Sequence, residues 1–292
     1  MFFVVFNLIR LSSRLEYAQA SAAQSMAMKA AVLKSSERDK MLIPLREPAN
    51  YAKILHCVVS LDGVEGADKE NEGRLDHFLA NWREKCGNSI EFIVCPGMPH
   101  HITGVGLTMA FAECIDRSYN LGADAVFVYE DDAVLFDTNF CNPDYQRNLL
   151  SARPLDTLTL LMGGHHFVLA TDGKYGGYDP YSPFVKLMQS YGSYGYALTR
   201  PSMKLISNLF SSQASECIKE QRKCSPDITW YHLASSLSKS VYVINPLLVG
   251  HEKGTYSNTW KKLRSSTRTG EEWMENTNVF DMINHKPNLN IK

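Results

Sequence analysis

Between Ala125 and Phe136 an apolar run is cut at its centre by three consecutive carboxylates, Glu130, Asp131 and Asp132. A short apolar run of this kind reads as a strand buried in a sheet. A buried strand that ends abruptly in acids delivers concentrated negative charge to one rim of that sheet, and such charge calls for a cation. Hard divalent ions such as Mn²⁺ and Mg²⁺ take oxygen ligands, and Mg²⁺ keeps waters while using one or two carboxylates together with a substrate phosphate. The competing reading is a solvated acidic turn. Apolar residues flank the triplet on both sides, and a surface turn does not require them.

The segments before this strand alternate in type. Residues Lys53 to Leu61 read as a buried strand, Arg74 to Trp82 carry apolar side chains at helical spacing, and Ile90 to Cys95 form a second strand stopped by Pro96-Gly97. From Gly106 to Leu121 a helix presents Leu107, Ala110, Phe111, Cys114 and Ile115 on one face. This β-α-β-α-β order predicts an α/β fold with a mainly parallel central sheet and helices on both faces. Ligands of such sheets bind outside the strands' carboxyl ends, where the acidic triplet falls. Further strands are expected at Leu158 to Gly164, Ser193 to Thr199 and Val241 to Ile244, with a helix opened by Pro201. The Tyr- and Gly-rich stretch from His165 to Pro183 is expected to be an irregular lid. The catalytic domain is expected over residues 51–263. Residues 1–50 read as an apolar segment plus a helix-favouring stem, and 264–292 as a polar extension.

A net charge of −1 leaves no basic field for a nucleic-acid backbone, so nucleic acid is not an expected partner and an anionic substrate must be met by local cations or a metal. The seven cysteines include no C-x-x-C pair, which argues against structural zinc and thioredoxin-like redox chemistry. Cys57 and Cys95 lie in apolar runs and read as small core residues, whereas Cys217 and Cys224 would close a short loop in an oxidising compartment. The apolar run Met1 to Ile9 is shorter than the roughly 20 residues that span a bilayer. It reads either as the tail of a signal-anchor, which would imply membrane association in the secretory pathway, or as an apolar helix resting on the domain.

Several pieces in order resemble glycosyltransferase family 25, which includes lipopolysaccharide and procollagen galactosyltransferases. They are Gly122 to Asp132, the helix opening at Gly106, Asp156 to Gly163, Gly195 to Thr199, Pro226-Asp227, and Pro246 to Thr259 ending in Tyr256-Ser257-Asn258-Thr259. Together they span about residues 52–260. The resemblance implies a GT-A-type fold, a UDP-sugar donor such as UDP-galactose or UDP-glucose, a hydroxyl acceptor on a glycan, lipid or protein, and Mn²⁺ or Mg²⁺ on the acidic triplet.

Breaking the bond between a sugar and a nucleotide diphosphate leaves a dianion, and a metal bridging both phosphates offsets that charge. Asp132 is the first candidate ligand and Asp131 the second, while Glu130 faces the nucleotide ribose or orders the turn. His251, after the last strand, would complete the coordination as a neutral imidazole, or is an exposed loop histidine. Lys253 and Arg74 are candidates for the diphosphate. Asp227 is either a helix cap or the base of an inverting transfer, and the resemblance favours the base. Asp62 and Asp76 are weaker candidates for that base. Two other classes stay open: a transferase-shaped nucleotide- or glycan-binding domain without turnover, and a Mg²⁺ phosphohydrolase.

Overall fold

The computed structural model describes residues 51–67, 69–164, 166–169, 182–191, 194–224, 226, 238–245, 247–251, 256–257 and 262–263. In chain order β1 (Ile54–Ser60) leads to α1 (Arg74–Cys86), β2 (Phe92–Pro96), α2 (Val105–Asn120) and β3 (Ala125–Glu130). A short β4 (Ala133–Leu135) follows the acidic turn, then α3 (Pro143–Ala152), β5 (Thr157–Gly163), β6 (His166–Leu169), β7 (Phe184–Tyr191), β8 (Gly195–Thr199) and α4 (Arg200–Lys219). The described chain closes with β9 (Ser240–Ile244), β10 (Val249–His251), β11 (Tyr256–Ser257) and β12 (Lys262–Leu263).

Eight strands form one sheet in the order β2-β1-β3-β8-β5-β9-β7-β6. β1, β2, β3, β5, β6 and β9 run one way, and β7 and β8 run against them. The sheet is therefore mixed but mainly parallel, as expected. Helices cover both faces. α2 and α4 pack on one face through Phe111, Ile115, Met203, Ile206 and Phe210. On the other face Phe78 and Trp82, one turn apart on α1, join Phe140 and the α3 residues Leu149 and Leu150. Burying each such aromatic contributes up to about 3 kcal/mol. Both faces of β3 are covered, which is why Ala125 to Tyr129 is apolar without alternation.

Two expectations are corrected. The stretch expected to be irregular contains β6, with residues 166–169 paired antiparallel to β7. Cys95 is not a simple core thiol, because it is bonded to Cys114, tying β2 to α2. The expected Cys217–Cys224 loop is closed, a third disulfide links Cys86 of α1 to Cys141, and Cys57 is a buried free thiol. Among the described residues no helix is long and apolar enough to cross a membrane. Residues 1–50 and 264–292, with the expectations placed on them, lie outside the described residues.

Candidate active site at the carboxyl rim of the sheet

Parallel pairing sets the site. Val59 of β1 lies opposite Glu130 of β3, so the next residues, Ser60 at the end of β1 and Asp131 just past β3, lie side by side. The Ser60 hydroxyl donates to Asp131 Oδ2 at 2.6 Å. β3 stops at Glu130, and Asp131 and Asp132 occupy the turn before β4. Leaving the pleat removes the alternation that would have sent them to opposite faces. Both converge on one cation: Arg74 Nη2 pairs with Asp131 Oδ1 and lies 3.4 Å from Asp132 Oδ2.

Arg74 is the first residue of α1, directly after Gly73, whose φ of 76° is a left-handed turn that a side chain would strain. Asp62 Oδ2 accepts from Leu75 N at 3.1 Å, and Arg74 Nη1 donates to Asn71 Oδ1 at 3.3 Å. Asp62 thus caps the first turn of α1 and aims Arg74 at the dyad, while Asp76 is exposed. Asp131 and Asp132 are only 8% and 3% exposed. Burial pushes the Asp131 carboxyl up to about 6. Arg74 and the Ser60 hydroxyl oppose the rise, and the neighbouring Asp132 and Asp62 add to it.

The acidic turn is held from beneath and from above. Trp82 Nε1 donates to the Ala133 carbonyl at 3.1 Å. β10 pairs antiparallel with β4, setting Val249 opposite Leu135, Gly250 opposite Val134 and His251 opposite Ala133. The expected ligand His251, 119 positions beyond Asp132 in the sequence, is therefore on a strand whose register lies beside the dyad. Glycines make that approach possible. A Cβ on Gly163 would meet the Val249 carbonyl oxygen, and one on Gly250 would meet the Phe136 ring. Gly163, in the strand expected at Leu158 to Gly164, is where β10 comes close to the end of β5.

Four residues before Ser60 on β1, His56 is buried among Phe92, Phe127, Tyr129 and Phe140. Its Nε2 lies 3.1 Å from Gln146 Oε1, and Gln146 Nε2 donates to the Phe140 carbonyl at 2.8 Å. The amide orientation makes His56 Nε2 the donor and leaves Nδ1 to accept from the Tyr129 hydroxyl at 3.0 Å. Burial drives the His56 pKa down to about 4, with the Gln146 bond opposing.

Of the expected site residues, Asp131, Asp132 and Arg74 come together, Glu130 ends the adjoining strand, and the backbone of His251 lies alongside. Asp227 and Lys253 lie outside the described residues. Ser60 and Trp82 were not anticipated. Ser60 was readable once β1 and β3 are paired in parallel, whereas the Trp82 bond depends on helix packing. Oxygen donors converging on a positive charge are the donor set a hard divalent ion takes, so the dyad fits such an ion. Among the described residues the three metal-ligating side chains that cluster most closely are Cys57, Cys95 and Cys114, but Cys95 and Cys114 are bonded to each other.

No family model matches this chain, and no curated protein matches it. The resemblance to family 25 therefore has no family-level match behind it. Among solved structures, it is similar to A197 from STIV, at 12% identity over 73% of this chain and 94% of that one, with a TM-score of 0.38. It is similar to Drosophila β1,4-galactosyltransferase 7 in complex with manganese, UDP-Gal and xylobiose, at 10% identity over 77% and 79%, with a TM-score of 0.38. A glycosyltransferase involved in glycosylation of the major capsid of PBCV-1 is similar at 10% identity over 66% and 94%, with a TM-score of 0.33. Likeness at this level decides neither reaction nor donor.

Proposed function

We propose that the protein is a metal-dependent, inverting hexosyltransferase of the GT-A type that moves galactose or glucose from a UDP-sugar to a hydroxyl acceptor. The observation that carries this reading is the convergence of Asp131 and Asp132 on one positive charge at the carboxyl rim of a mainly parallel sheet. Asp132 and Asp131 are the proposed ligands of Mn²⁺ or Mg²⁺, with His251 from the neighbouring strand. When bound, the ion supplies Lewis-acid neutralisation of the departing nucleotide diphosphate.

The chain's own groups do the rest. Ser60 fixes the rotamer of Asp131, and Trp82 holds the Ala133 carbonyl so that the dyad cannot swing out to water. Arg74 and Lys253 are assigned to the diphosphate oxygens, Glu130 to the ribose, and Asp227 to removal of the acceptor hydroxyl proton. Three disulfides among the described residues fit maturation in an oxidising compartment.

The test is product formation from a panel of UDP-sugars with and without Mn²⁺. Asp132→Ala is expected to lower metal-dependent turnover at least a hundredfold while its thermal unfolding stays cooperative. Turnover that survives in the variant, or that is indifferent to chelation, contradicts the reading. UDP binding without product from any donor and acceptor would instead favour a non-catalytic binding domain. Phosphate release that needs no acceptor would favour a phosphohydrolase.

A further inference from the structure

We propose that Arg74 and the divalent ion are alternative occupants of the same carboxylates, and that ion entry releases Arg74 to the anionic donor. The proposal rests on the metal reading above and adds to it a competitor built into the chain.

Asp131 spends Oδ2 on the Ser60 hydroxyl, so Oδ1 is the oxygen it turns toward Arg74. That oxygen and Asp132 Oδ2 are the two that meet Arg74 Nη2. An ion held by the same two oxygens would compete for the place that the guanidinium nitrogen fills, and like charges repel across so short a gap. The side chains are dry, at 12% exposure for Arg74, 7% for Asp131 and 1% for Asp132, so water screens little of this competition. Both occupants answer the same need. Two adjacent buried carboxylates require a positive charge whether or not the ion is present, and leaving them without one is costly.

Arg74 is placed to move. It sits at the first position of α1, where its backbone belongs to the helix but its side chain projects beyond the helix end, tethered at Nη1 to Asn71 by a bond of 3.3 Å. A guanidinium expelled from the dyad stays within side-chain reach of the same rim. There its planar fork suits the oxygens of a diphosphate. The exchange therefore couples the two ligands: donor raises the apparent affinity for metal because it captures the arginine that metal displaces, and metal raises the affinity for donor by the same factor.

The experiment measures Mn²⁺ binding by the loss of the free-ion EPR signal, with and without UDP, in the wild type, Arg74→Gln and Arg74→Lys. Arg74→Gln is expected to bind Mn²⁺ at least tenfold more tightly than the wild type, and Arg74→Lys to lie between them. UDP should tighten Mn²⁺ binding in the wild type at least threefold more than it does in Arg74→Gln. Should Arg74→Gln unfold without metal, Mn²⁺ is expected to restore its cooperative thermal transition, with a larger shift than in the wild type. Equal or weaker Mn²⁺ binding by Arg74→Gln, or a variant that stays unfolded in saturating Mn²⁺, overturns the exchange and leaves the metal reading standing. No Mn²⁺ binding to any of the three proteins overturns both.

Discussion

Asp131 and His56, one at the rim and the other four positions back along the paired strands, show how two side chains are driven by burial in opposite directions. Asp131 is raised to about 6, so its folded-state contribution grows as pH falls through 6 toward 3.8, where the unfolded carboxyl titrates. His56 is lowered to about 4 from 6.5, so the unfolded chain binds its proton first. The stability due to neutral His56 is complete above pH 6.5 and is lost as pH falls toward 4. The two slopes oppose each other in one window, and the wild-type curve alone cannot separate them. Replacing His56 by Gln removes one slope. From pH 7 to 4.5 the stability advantage of the wild type over His56→Gln, read from urea unfolding, is expected to shrink by about 2–3 kcal/mol. Curves that stay parallel would show that His56 is not held neutral. Neither the carboxyl nor the imidazole shift is legible in sequence, because each depends on what packs around the group.

Among the elements, β10 joins the end of β5 to the strand after the acidic turn. Three residues with a glycine at the centre give no periodic signal, and the segment is a strand only because β4 offers it an edge. Its place over the sheet is set by missing side chains. The Leu248 amide donates to the Met162 carbonyl at 2.9 Å, and the Phe136 amide donates to the Leu248 carbonyl at 2.8 Å, so the segment is sewn between β5 and the stretch after the acidic turn. Gly163→Ala would push the Val249 carbonyl outward and slide His251 away from Ala133. The overpacking is expected to cost about 1–3 kcal/mol in unfolding free energy, and Mn²⁺ affinity should fall at least tenfold more than in a core variant of equal stability loss. An unchanged Mn²⁺ affinity would detach β10 from the site. α3 escaped expectation although Asn142 caps it and Pro143 opens it, a start signal the sequence does carry. β7, paired with both β6 and β9, was missed because a strand beside tyrosines and glycines reads locally as loop.

For the whole molecule, the order β1-α1-β2-α2-β3 was legible because each unit is long, apolar and separated by Gly or Pro. The alternation of strand and helix then implies their parallel arrangement, and with it the rim at which the triplet emerges. The far half of the sheet was less legible, since β8 and β7 run against their neighbours and nothing local dictates that direction. The same holds for two of the disulfides. Cys217 and Cys224 are near in sequence and could be paired by inspection, whereas Cys86–Cys141 spans 55 positions and exists only because α1 packs beside the turn before α3. The rims also divide roles. Asp156, at the opposite end of β5, accepts from the Ser240 and Tyr242 hydroxyls at 2.7 and 2.9 Å, and those bonds with nearby Lys186 outweigh burial to hold its carboxyl below the ordinary value. That carboxylate staples strands, whereas Asp131 and Asp132 share the guanidinium of Arg74. The most direct check is the thermal unfolding of the wild type and Asp132→Ala in Mn²⁺ alone, UDP alone and both together. Mn²⁺ with UDP is expected to raise the wild-type transition by more than the two separate shifts combined, and Asp132→Ala to lose this excess. A wild type indifferent to the pair, or a variant stabilised as strongly, would contradict it.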